Sequence, residues 1–110
     1  MQHNIWALEK DLSIKHLLLM LVETFGKHQL DIPAPSDGHP CSILVSSQHD
    51  DNVYAYIYTY GQRPEYYGVH LEYPSLVDSQ RFDTTEILED LSYERLVQIL
   101  SVHLGIATVH

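Results

Sequence analysis

Tyr54, Tyr56, His70 and Glu72 are the residues of this chain whose types and spacing come nearest to acid–base chemistry. Residues two apart in a strand share a face, so His70 and Glu72 project together, and the strand pairing developed below sets Tyr56 and Tyr54 across from them. An imidazole, a carboxylate and phenols held this way could move a proton, as in a small enzyme or ligand-binding protein. The same residues also suit a surface hydrogen-bond pair beside an aromatic strand.

Other chemistry finds less support. His39 and Cys41 flank Pro40, and His49 precedes Asp50 and Asp51, but no Cys-x-x-Cys or His-x-x-x-His spacing completes a tetrahedral site, so no metal is expected. Cys41 has no adjacent base to lower its pKa and reads as a buried, inert thiol. Glycine-rich phosphate loops and nucleophile elbows are absent from the sequence, and no cofactor is expected.

The run that must position these groups alternates tyrosine with smaller residues. Tyr54, Tyr56, Tyr58 and Tyr60 occupy every second place, with Val53, Ala55, Ile57 and Thr59 between them. A period of two is that of a strand, so one face is phenolic and the other small and apolar. Three strands are expected in a meander, over residues 41–48, 53–60 and 66–73, with turns at 49–52 and 61–65. Placing Tyr60 opposite Tyr66 sets Ile57 against Val69 and Ala55 against Leu71 on one face. On the other it sets Tyr58 against Gly68, Tyr56 against His70 and Tyr54 against Glu72. A tyrosine over a glycine covers bare backbone. For the first strand, the preferred register puts Ile43 and Val45 on the apolar face and leaves Ser42, Leu44 and Ser46 beside the tyrosines.

Two helices are expected outside the meander. The first starts after Asp11-Leu12-Ser13, with Ser13 as its cap, carries Leu17, Leu21 and Phe25 at four-residue spacing, and stops at a left-handed Gly26. Leu18, Leu19, Met20 and Val22 make it apolar nearly all round, as in a helix buried on more than one side. The same frame recurs where Asp90-Leu91-Ser92 precedes Leu96, Leu100 and Leu104 and Gly105 closes the stretch. Shared capping chemistry accounts for this repetition. Residues 28–40, with three prolines and a glycine, read as a connection with a short extended piece at 29–32. Residues 75–82 read as loop, and 84–89 as an acidic turn of helix. The expected fold is α+β, a three-stranded antiparallel meander flanked by an N-terminal and a C-terminal helix in a single domain, 1–110.

Charge bounds the partners. Fifteen acidic against six basic residues leave −9, and residues 31–110 hold twelve of the acids and three of the bases. That balance disfavours nucleic acid and anionic membrane and suits a basic protein partner. Full protonation of the eight histidines would take the charge from −9 to −1, so charge-driven association should weaken as pH falls through roughly 6.5. The longest apolar run, 17–22, is far below the roughly 20 residues needed to span a bilayer. With one cysteine and no recognisable leader, the expected setting is the cytoplasm.

Tyrosines supply large rigid contact area, and acidic residues steer a basic partner. The expected partner-binding set is therefore Tyr54, Tyr56, Tyr58, Tyr60, Tyr66, His70, Glu72, Asp83, Glu86 and Glu89, provided that no helix covers the tyrosines. A homodimer joined through its sheet faces is a further expectation. In size, acidity and element order the chain resembles the immunity proteins that bacteria pair with secreted toxins. The resemblance implies a tight, non-catalytic complex with one cognate toxin domain. The outline also resembles secretion chaperones, which bind an unfolded effector segment as dimers.

Overall fold

Apolar residues at every second place in three consecutive strands require something to cover one side of the sheet, and two amphipathic helices do so. The computed structural model describes residues 4–33, 38–49, 53–74 and 82–109, with the side chains of 74 and 82–85 left out. A short 3-10 turn, Ile5–Ala7, leads into α1 (Leu12–Phe25). The strands β1 (Leu30–Asp31), β2 (Ser42–Ser47), β3 (Tyr54–Tyr58), β4 (Tyr67–Pro74) and β5 (Phe82–Leu91) follow, and α2 (Tyr93–Leu104) ends the order. The sheet runs β1-β2-β3-β4-β5 with every pairing antiparallel.

The expected three-stranded meander is thus corrected to a five-stranded sheet in a fold that remains α+β. Its centre has the anticipated register: Ile57 faces Val69, Ala55 faces Leu71, and Tyr54, Tyr56 and Tyr58 face Glu72, His70 and Gly68. On the other side, Ile43 pairs with Ile57 and Val45 with Ala55. The two added strands are at the margins. Leu30 and Asp31 pair with Ser47 and Ser46, within the extended piece expected at 29–32.

The larger correction is β5. Residues 84–89 are strand, paired with β4, where an acidic helical turn was expected. Two register shifts explain why a period of two is hard to see there. Glu89 and Asp90 fall between the Val69–Leu88 and Tyr67–Leu91 pairs, and Thr85 is the extra residue between Leu71–Glu86 and Glu72–Thr84. Each extra residue restarts the alternation and kinks the strand. Asp90 takes φ 57, a left-handed conformation that aspartate tolerates better than most residues. Apart from Phe82, which opens β5, the loop expected at 75–82 lies outside the described residues, as do parts of the connections at 28–40 and 49–52.

Both helices lie on the Ile57 side of the sheet. Ile14, Leu17, Leu18, Leu21 and Phe25 of α1 join Leu96, Leu100 and Leu104 of α2 in one core with Ile43, Val45, Ala55, Ile57, Val69 and Leu71. Each leucine, isoleucine, valine or phenylalanine among them, fully buried, contributes about 1.5–3 kcal/mol of transfer free energy. The Thr24 and Tyr93 hydroxyls meet at 2.6 Å and tie the helices to each other. At the start of α1 the cap is Asp11, whose carboxylate accepts from the Ser13 backbone N–H at 3.0 Å, so the expected Ser13 cap is corrected by two positions. Gly26 does take a positive φ, 93, but with ψ 158 it is extended past the helix and not the expected left-handed stop. In α2, Ser92 caps Arg95 and Gly105 is left-handed at φ 65, ψ 39.

Candidate functional site

Because both helices occupy one face, no helix among the described residues lies over the tyrosines. The sheet face they line is organised in rows across the strands. Leu44, Tyr56, His70 and Ile87 are successive cross-strand partners, as are Tyr58 and Gly68 in the next row toward the β3–β4 turn. Leu44, Tyr56 and His70 are half-buried, whereas Ile87 is 59% exposed, an apolar side chain that the core does not use. Two residues beyond His70 on β4 is Glu72, and two beyond Ile87 in the opposite direction is Glu89. The aromatic row therefore has a carboxylate on either side, each about 7 Å along its strand.

The ladder is not four identical outward rings. Tyr58 is the foundation, 2% exposed, lying over Gly68 with its hydroxyl donating to the Glu89 carboxylate at 2.7 Å. Tyr60 stacks on it at 4.7 Å between centroids, and Tyr56 lies tilted at 5.9 Å. The Tyr56 and Tyr60 hydroxyls meet at 3.3 Å. The rings continue through His70, 5.4 Å from Tyr56, and through His39, 4.9 Å from Tyr60. Burial and the bond to a negative carboxylate both hold the Tyr58 hydroxyl in its neutral form, raising its pKa well above the ordinary tyrosine range. The bond from Tyr56, followed by burial, pushes Tyr60 up to about 12. Neither Tyr58 nor Tyr60 is prepared to act as a base.

Of the expected set, the structure brings together Tyr54, Tyr56, Tyr58, Tyr60, His70, Glu72 and Glu89. Tyr66 does not belong with them. It precedes β4 in a turn where its N–H donates to the Arg63 carbonyl, and its ring lines a groove on the helix side. Glu86 pairs with Leu71 and faces the helix side near Arg95 and Gln98. Asp83 is in β5, but its side chain lies outside the described residues. Two members escaped sequence reading. Ile87 needed β5 to be recognised as a strand, and His39 is carried over the end of the sheet by a loop anchored through Pro40, whose carbonyl accepts from Asp11 N–H at 3.0 Å.

The suggested proton-moving constellation has a different character in place. The His70 ring packs against Tyr56 and edge-on to Tyr58 at 5.2 Å. A larger concave space among the described residues lies elsewhere: a groove of about 750 Å³ runs between α1 and the β3–β4 turn, bordered by Ser13, His16, Met20, Thr59, Pro64 and Tyr67. Cys41 also borders this groove and is half-buried, which corrects the buried thiol expected from sequence. Among the described residues no group of three or more His, Cys, Asp or Glu side chains could hold a metal ion. No described helix is long and apolar enough to cross a membrane.

The β3–β4 turn is locked to the end of β5. Gln62 donates to Glu89 at 3.2 Å and accepts from the Asp90 backbone N–H at 2.8 Å. Arg63 grips the Asp90 carboxylate with two N–H groups, at 2.9 and 3.2 Å, while its guanidinium carbon lies 3.8 Å from the centre of the Tyr66 ring. The Asp90 bond raises the Arg63 pKa further above its already high value. Comparison with protein-family models, with curated proteins and with solved structures gives no match to this chain.

Proposed function

We propose that this chain is a non-catalytic protein-binding module that meets a basic partner with its tyrosine face, as an immunity-type inhibitor meets a secreted toxin domain. The observation that supports this reading most is the placement of both helices on the Ile57 face, which leaves the aromatic rows with no helix of the described residues over them. Rigid rings, an exposed Ile87 and carboxylates at either side are the composition of a docking surface with an aromatic centre and a charged margin. The net charge of −9 adds long-range attraction for a cationic domain.

Co-expression with the basic product of an adjacent gene tests the reading. A stoichiometric complex is expected on size exclusion, with a dissociation constant that rises with salt. Tyr56→Ala is expected to weaken binding by about tenfold or more, the scale of an interface anchor. A complex indifferent to Tyr56→Ala and to Ile87→Ala would refute docking through this face.

A further inference from the structure

The chain already shows how it recognises a guanidinium. Arg63 is held by two features at once: a tyrosine ring 3.8 Å from its central carbon and a carboxylate that takes two of its N–H groups. The tyrosine face repeats both features with no arginine of its own in them among the described residues. Tyr56 and His70 form a half-buried aromatic surface, and Glu89 stands in the neighbouring row. Glu89 is also prearranged. The donors from Tyr58 and Gln62 both go to its Oε2, so the carboxylate is fixed in direction while its Oε1 receives no bond from a described residue.

We propose that this face reads arginine: a partner's arginine stem lies along Ile87, and its guanidinium sits flat on the Tyr56–His70 rings with its N–H groups directed to Glu89. Glu72, on the far side of the same row, offers a second basic side chain a counter-charge. The inference rests on the proposed docking role and narrows its chemistry. Arginine is favoured over lysine because a planar fork can stack and pair at once, whereas an ammonium is a compact, strongly hydrated point charge. The chain's acidity supplies the complementarity but would not by itself distinguish the two cations.

Fluorescein-labelled nonapeptides of arginine and of lysine separate the possibilities by fluorescence anisotropy at fixed ionic strength. The arginine peptide is expected to bind at least about tenfold tighter than the lysine peptide, since stacking and forked pairing add to the shared charge. Glu89→Gln and Tyr56→Leu should each bring the two affinities to within about threefold. Ile87→Arg, at an exposed position that leaves the fold undisturbed, should abolish the preference by placing a cation in the row. Tyr66→Leu, on the other side of the sheet, should leave the preference unchanged. Equal affinity of the wild-type chain for both peptides overturns arginine reading and leaves a basic partner standing. Failure to bind either peptide overturns both.

Discussion

Gly68→Ala is the smallest change that interrogates the tyrosine face. Gly68 does not need glycine for its backbone angles, because its φ is not positive; it needs glycine for space. A Cβ there would fall on the Cζ and Cε2 atoms of Tyr58 and 2.6 Å from its hydroxyl. The ring has little room to retreat, being 2% exposed and stacked against Tyr60 at 4.7 Å. Displacing it breaks the bond to Glu89, about 1.5–3 kcal/mol for a hydrogen bond to a charged group. Overpacking adds about 1–3 kcal/mol, and the lower unfolded-state entropy of alanine returns roughly 0.5–1 kcal/mol. The net expectation is a loss of about 2–5 kcal/mol, or close to 4 °C of melting temperature per kcal/mol at this chain length. Urea and thermal unfolding measure it. The decisive comparison is the double-mutant cycle with Tyr58→Ala, in which the alanine at 68 should cost nothing. A loss below about 0.5 kcal/mol in the single mutant, or an undiminished loss in the double mutant, refutes the argument that Tyr58 occupies the space above Gly68.

Two other expectations concern titration and local bonding. Tyr58, Tyr60, Tyr67 and Tyr93 all have folded-state pKa values raised above 10.0, so the stability they contribute is present below that pH and is lost as pH rises through their folded values, which for Tyr60 is about 12. Tyrosinate absorbance should therefore show late-ionising tyrosines whose titration coincides with unfolding, and a single step near pH 10 with the fold intact would contradict this. Ser13→Ala removes the hydroxyl that donates to Asp11 at 2.6 Å and meets the Thr59 hydroxyl at 2.8 Å. Loss of the contact with Thr59 is expected to cost about 1 kcal/mol in urea unfolding. The Asp11 carboxyl, held low chiefly by the Ser13 side chain, should move back toward 3.8 when titrated by NMR, and an unmoved Asp11 would count against this role.

The middle of the sheet was legible because its sequence obeys one period without interruption. Tyr54 to Tyr60 alternates cleanly, and a single pairing then settles Ile57 against Val69 and Tyr58 over Gly68. β5 was opaque because its two extra residues break the alternation and because Ile87, apolar on the tyrosine face, stands beside core-packed Leu88, a pattern that resembles a helical turn when combined with Glu86, Glu89 and Asp90. The cap of α1 was misplaced because Asp11 and Ser13 are both good capping residues and only the backbone decides between them. Tyr66 was assigned to the aromatic face by extending the register into the turn, where Arg63 holds its N–H instead. The apolar faces could be read because burial imposes a repeat. The turn-to-strand clasp of Gln62 and Arg63 on Glu89 and Asp90 leaves no such repeat, since its partners are 27 residues apart.

Among the described residues the sheet ends at β5, a ten-residue strand with one long side unpaired by any other described strand. Such a border is an invitation to polymerise, since a second molecule can append its own border strand through peptide hydrogen bonds alone. Here the border carries Glu86, Glu89 and Asp90, all exposed, and the kinks at its two extra residues spoil the straight template that stacking would require. Two such borders brought together would oppose anions with anions, so crowding at neutral pH favours separate molecules over fibrils. Salt screens that repulsion, which makes storage at high ionic strength the condition under which the purified chain should first turn cloudy.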